Sequence, residues 1–268
     1  MTKSRSLFFF DAKALMEKAQ QLKDQYQSAE PFPHVVMDHF LPEDVLDQVL
    51  NEFPVFSEIS WSEYKHQHSF KYATSDQNQM GEMTRHLFSQ FNSSEFLVFL
   101  EKLTAIEGLI ADPYLWGGGL HLNPRGGYLN VHADFNWYEK LRLDRRLNLL
   151  LYLNKNWKEE YAGHIQLWSR DMRQCVSKVL PIFNRCVIFS TSDYSYHGLP
   201  DPIQCPEGEA RKSLALYYYS NGRPQAEGIT PHNTLYHKVP GQAGPSGSKA
   251  WGLLGGFGKV LRQWLRLC

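Results

Sequence analysis

Apolar positions change their period about two-fifths of the way along this 268-residue chain. In the first part they recur at helical spacing. Ala12, Leu15, Met16, Ala19 and Leu22 lie on one face of 11–27, and Val45, Leu46, Val49 and Leu50 lie on one face of the segment that follows Pro42. Between these, PFPHVVMDHF predicts a short strand after a Pro-rich entry. Two more helices are predicted over 82–91 and 95–106, the second opened by Asn92 or Ser93 with Glu95 close behind. Residues 57–80 are polar, carry no clear period and are expected to be a loop over a site. After about residue 115, short apolar or alternating runs stand between turn residues: GLHLNP, GYLNVHAD, RLNLLLYLN, GHIQLW, VSKVL, RCVIFS and RKSLALYYYS. Such a series predicts a barrel or sandwich, with the earlier helices bracing one of its faces.

Composition narrows the classes. The chain is 43% hydrophobic and 14% aromatic, enough for a sizeable core. Lys plus Arg and Asp plus Glu each total 28, so there is no basic excess and no default reason to propose a nucleic-acid partner. Cys175, Cys186, Cys205 and Cys268 form no C-x-x-C pair and are expected to be free thiols in a reducing compartment. Leu7–Phe10 is too short for a signal-peptide core, and no apolar run approaches the roughly 20 residues that span a bilayer. A soluble, cytoplasmic protein is the expectation. The stretch from Pro240 to Lys249 is rich in Gly, Pro and Ser and reads as a linker. FGKVLRQWLRLC after it reads as a short amphipathic helix that either docks back on the barrel or touches an anionic surface or an acidic partner. The oligomeric state is not legible in the sequence.

The chemistry gathers around His132-Ala133-Asp134. Side chains at i and i+2 of a strand share a face, so this histidine and carboxylate point together into a barrel interior. His197, 65 residues later and beside Gly198, offers a third ligand. Two histidines and a carboxylate with open positions are what non-haem iron(II) oxygenases use. Fourteen residues on, Arg211 and Ser213 share a face of the last strand, where a guanidinium fork and a hydroxyl suit a carboxylate. Asn148 lies on the same strand face as Tyr152 and could reach a co-substrate, a water or only its core neighbours.

The order H-x-D, distal His, R-x-S resembles the 2-oxoglutarate and Fe(II)-dependent dioxygenases, and within them the prolyl 4-hydroxylase-like branch, including the hypoxia-factor prolyl hydroxylases. GGYLNVHADFN, RRLNLLLYLNKNWKEEYAGHIQLW, PIFNRCVIFSTSDYSYHGLP and RKSLALYYYSNGRP carry the resemblance. It implies an α+β fold with a mainly β core, a double-stranded β-helix (jelly roll) braced by N-terminal helices. Residues 1–110 would form the helical bracing region, 111–230 the catalytic jelly roll, and 231–268 the linker and C-terminal segment. The resemblance further implies Fe(II) at His132, Asp134 and His197, and 2-oxoglutarate as co-substrate with its far carboxylate on Arg211, helped by Ser213 and the Tyr152 hydroxyl. Tyr128 would be an aromatic near both, and L-ascorbate is an additional candidate cofactor. The implied reaction is hydroxylation of a C–H bond in a peptidyl proline or related residue, with a small molecule or free amino acid as the alternative substrate and a non-catalytic binding module as the rival class. Two departures stand out. The spacing from Tyr128 to His132 is one residue longer than in the hypoxia-factor relatives, and the Gly-Gly before the fourth strand is here Ala162-Gly163.

Overall fold

The structure, a computed structural model, describes residues 7–227 and 229–238. Four helices come early: α1 (Ala12–Ser28), α2 (Glu43–Asn51), α3 (Glu82–Phe91) and α4 (Ser94–Thr104). Local chemistry starts each of three of them. The Asp11 carboxylate accepts the Ala14 N–H at 2.7 Å, and the Ser93 hydroxyl accepts that of Phe96. The Glu52 carboxylate, just past α2, accepts the free N–H groups of Met83 and Thr84 at the start of α3.

The strands are β1 (His34–Met37), β2 (Ser62–His66), β3 (Ser69–Thr74), β4 (Ile110–Ala111), β5 (Gly119–Pro124), β6 (Tyr128–Ala133), β7 (Trp137–Tyr138), β8 (Leu143–Tyr152), β9 (Ile165–Trp168), β10 (Cys175–Val179), β11 (Cys186–Ser190), β12 (His197–Leu199), β13 (Ala210–Ser220) and β14 (Leu235–Tyr236), of which β1, β5, β6, β8, β9, β10, β11 and β13 coincide with predicted runs. Ten of them run side by side in the order β1-β11-β8-β13-β5-β3-β6-β12-β9-β10, and every pairing among them is antiparallel. This is a nearly closed antiparallel barrel of the jelly-roll kind.

Alternation along two long central strands separates the barrel interior from the helix-facing core. On β8, Leu147, Leu149 and Leu151 join the cluster built with Leu46, Phe88, Phe91, Phe96, Phe99 and Leu103 of the helices. Asn148 and Tyr152 point the other way. On β13, Leu214, Leu216 and Tyr218 pack on the helices, while Arg211, Ser213 and Tyr217 face inward. Burying the leucines of these two strands fixes their register, because a slip of one residue would bring the polar set into the apolar core.

Residues 57–80, expected to be a loop, contain the β2–β3 hairpin. All five residues of β2 are exposed, so no apolar alternation marks it in the sequence. β3 pairs with both β5 and β6 and separates these two chain neighbours. The first 110 residues therefore supply β1, β2, β3 and the start of β4 as well as the helices. Toward the other end, Leu235 and Tyr236 pair with Ala133 and His132, and the Tyr236 ring stacks on His68 of the hairpin at 4.2 Å. The proposed C-terminal amphipathic segment, including Cys268, lies outside the described residues. Cys175, Cys186 and Cys205 are free thiols. Among the described residues, no helix is long and apolar enough to cross a membrane.

Candidate metal centre

His132, Asp134 and His197 come together across the β6–β12 ladder, where His197 stands directly opposite His132. One ligand atom from each lies within 4.8 Å of the others, and all three residues are buried. The tautomers are set by the backbone. His132 Nδ1 is 2.8 Å from the Asn130 carbonyl and His197 Nδ1 is 2.9 Å from that of Ser195. A carbonyl only accepts, so each Nδ1 carries the proton and each Nε2 keeps its lone pair for the shared point. Both Nε2 atoms lie 3.3 Å from an Asp134 oxygen, one at Oδ1 and the other at Oδ2. Gly198 is required beside this ladder: a Cβ there would meet the Val131 backbone at 2.8 Å.

A polar network that the sequence did not reveal orients Asp134. Its Oδ2 accepts from Asn148 Nδ2 at 2.6 Å and from Arg145 Nη2 at 2.9 Å. Arg145 is buried, its guanidinium between the Tyr217 ring at 3.4 Å and the Phe135 ring at 4.4 Å. Burial opposes ionisation of Asp134, but the Arg145 guanidinium beside it outweighs burial and holds the carboxyl well below its usual range. Burial, with His197 adding to it, lowers His132 from the ordinary histidine value and keeps it in the neutral, ligating form. Asn148 also accepts from Arg145 Nε, so most of its hydrogen-bonding capacity is committed to Asp134 and Arg145. Only its remaining N–H is left for a co-substrate.

At the other end of the same cavity, of about 90 Å³, sits Arg211. Its Nε donates to the Gly163 carbonyl at 2.8 Å, its Nη2 to the Tyr152 hydroxyl at 3.2 Å, and its Nη1 to Asn123 at 3.4 Å. Gly163 has φ +78°, a left-handed conformation that aims this carbonyl at Arg211. None of these partners is an anion, so a buried cation is left with one free N–H on each terminal nitrogen. Ser213 is buried on the same wall.

Tyr128 departs from expectation. It does not line the cavity, and its hydroxyl donates to the His66 carbonyl of the hairpin at 3.0 Å. The cause is a shift of register. His197 pairs with His132 and Leu199 with Leu129, so three steps on β6 match two on β12. Strand parity breaks there, Leu129 and His132 both face the cavity, and Tyr128 turns outward. The extra residue between Tyr128 and His132 was the sequence's sign of it. The cavity is also lined by Lys71, from the segment that carries no clear period, and by His121 and Asn123 of β5.

A jelly roll whose interior holds two histidines, a carboxylate and an unpaired arginine defines an oxygenase class of site. Residues 118–219 match the model of the 2OG-Fe(II) oxygenase superfamily. These residues, which include most of the barrel strands, are a 2OG-Fe(II) oxygenase domain. No curated protein matches the chain by sequence. Solved structures with the same fold include a prolyl hydroxylase from Trichoplax adhaerens in complex with a hypoxia inducible factor peptide fragment, with TM-score 0.58, 15% identity and coverage of 80% of this chain and 93% of that one. A prolyl-4-hydroxylase from Pseudomonas putida matches with TM-score 0.55 and 17% identity over 76% of this chain and all of that one. A prolyl 4-hydroxylase from Phytophthora capsici matches with TM-score 0.53 and 23% identity over 82% and 68%.

Proposed function

We propose that His132, Asp134 and His197 hold the iron, that Arg211 with Tyr152 and Ser213 receives the far carboxylate of 2-oxoglutarate, and that the residue hydroxylated is a peptidyl proline or a close relative. The observation that carries the site assignment is the opposition, within one cavity, of three converging ligand atoms and a buried guanidinium that lacks an anion. The donor set fits both groups: two neutral imidazoles and a carboxylate suit iron(II), and a two-pronged end of Arg211 suits a carboxylate. When bound, iron(II) and 2-oxoglutarate supply the oxidising chemistry, in which dioxygen gives one oxygen atom to a substrate C–H bond and the other to succinate as carbon dioxide leaves.

The chain's own residues then have definite tasks. The Asn130 and Ser195 carbonyls lock both imidazole rings. Arg145 and Asn148 hold Asp134 from behind and keep it ionised. Arg211 and Tyr152 fix the far end of the co-substrate, which sets the direction of its near end. Leu129, Leu150, Ile165 and Phe189 line the cavity and exclude water. The peptide reading draws support from the similar fold solved with a peptide bound.

Full-length protein with Fe(II), 2-oxoglutarate and oxygen is expected to form succinate. A screen of proline-containing peptides should find a product heavier by about 16 mass units, one oxygen atom. Absence of iron-dependent succinate would overturn the site assignment, and a product found only among small metabolites would overturn the peptide reading. Asn148→Ala tests the support behind Asp134. Loss of such an outer partner typically weakens metal binding by about 10–100-fold, to be measured by anaerobic Fe(II) or Co(II) titration. Unchanged affinity would mean that Asp134 needs no hydrogen bond from Asn148.

A further inference from the structure

Lys71 is the inward-facing cation that the site described above does not use. It lies on β3 between Phe70, which pairs with Tyr128, and Tyr72, which pairs with Leu122, so it stands on the wall between β5 and β6. Its side chain lines the same cavity as the three ligands, Arg211, His121 and Ser213. Tyr64 faces it across the hairpin ladder, and the Tyr64 ring lies 5.2 Å from the ammonium. That contact orients the amine without neutralising it. Protein surrounds the group, yet part of it keeps a path to solvent. Among the described residues Lys71 makes no ion pair with a carboxylate.

The charges around it leave a gap. The near carboxylate of 2-oxoglutarate and Asp134 offset iron(II), and the far carboxylate offsets Arg211. Arg145 and Lys71 then remain as positive charge in excess of negative, and of the two only Arg145 touches a carboxylate. A desolvated ammonium without a counter-ion is costly, and the substrate is the only remaining component that can bring one. A lone ammonium is a compact point charge that one carboxylate satisfies.

We propose that Lys71 is a substrate-binding residue, and that the substrate carries a carboxylate which Lys71 receives inside the cavity. This rests on the oxygenase reading of the same site. Burial pulls the Lys71 amine down to about 8, with the Asp134 carboxylate resisting and Arg145 and Arg211 assisting the shift. It is therefore mostly protonated at neutral pH. The carboxylate could belong to a free amino acid or to an acidic side chain near the hydroxylated residue of a peptide.

The test uses the full chain with Fe(II) and 2-oxoglutarate and two matched pairs of probes: L-proline against L-prolinamide, and proline peptides flanked by Glu against the same peptides flanked by Gln. In at least one pair the carboxylate member is expected to stimulate succinate formation about tenfold more than its neutral partner. That advantage should be lost in Lys71→Met and partly restored in Lys71→Arg, which keeps the cation and also controls for folding. A response in the first pair identifies a free carboxylate, and one in the second an acidic side chain. Anaerobic titration of 2-oxoglutarate, followed by the visible charge-transfer band of its iron chelate, should shift by less than about threefold in Lys71→Met. Equal or absent stimulation within both pairs would overturn the proposal. So would a shift of about tenfold or more in the 2-oxoglutarate titration, which would make Lys71 a co-substrate residue. Failure of the chelate band to form in the unaltered protein would instead remove the oxygenase reading itself, and this proposal with it.

Discussion

His197→Ala is expected to abolish iron-dependent succinate formation while leaving a folded barrel. Losing an outer hydrogen-bond partner of a ligand costs about 10–100-fold in metal affinity or activity, and His197 is itself one of the three candidate ligands found among the described residues. The loss of turnover should exceed that range. The imidazole packs against Phe189 at 4.6 Å and His132 at 4.5 Å, so its removal leaves a small cavity and costs about 1–3 kcal/mol of stability, within the usual span for one buried substitution. Thermal unfolding separates this cost from loss of the metal. Addition of Fe(II) should raise the unfolding temperature of the unaltered protein and not that of the variant. Substantial succinate formation by folded His197→Ala protein would disprove its place in the centre. His132→Ala and Asp134→Ala should behave alike, because two remaining ligands cannot complete the facial site.

The second large effect is expected at Arg211. With Nε on Gly163, one N–H of Nη2 on Tyr152 and one N–H of Nη1 on Asn123, the guanidinium has two parallel N–H groups left for a carboxylate. Two charge-assisted bonds of about 1.5–3 kcal/mol each imply a rise of about 10²–10⁴-fold in the 2-oxoglutarate needed for half-saturation in Arg211→Ala. Fe(II) binding, titrated without co-substrate, should change little. Arg211→Lys should recover only part of the loss, since an ammonium lacks the fork and cannot bond Gly163 and the ligand together. Lys212→Ala is the control. Lys212 extends from the opposite strand face with its ammonium 5.1 Å over the Phe53 ring, and its change should leave the 2-oxoglutarate requirement within about twofold. A larger effect at Lys212 than at Arg211 would reverse the facing of β13.

These two predictions rest on residues that the sequence already marked. The strands that carry them are also those where alternation is strictest. On β13, the apolar Leu214, Leu216 and Tyr218 must meet the helices, so Arg211 and Ser213 have no other side than the interior. The same constraint placed Tyr152 opposite the leucines of β8. Helix starts were legible where a single side chain caps them, as Ser93 does for α4.

Residues whose placement depends on a distant partner were not legible. Tyr128 turned outward because of a register shift against β12, a strand roughly 70 residues away, and parity counted along β6 alone could not foresee it. Lys71 looked like one charge in a polar stretch until β3 was seen to lie between β5 and β6. Arg145 stands just before the predicted run RLNLLLYLN; only folding puts its guanidinium between Phe135 and Tyr217 and against Asp134.

By itself, then, the chain determined the two periodicities, the helices, most barrel strands and the pairs of ligands that share a strand face, since these follow from spacings of two to four residues. Tertiary structure alone decided which strands lie side by side, where register slips and which buried charge lacks a partner. Each of these depends on pairing between segments tens of residues apart, whose energy comes from burial and hydrogen bonding in the assembled barrel and leaves no local pattern in the sequence.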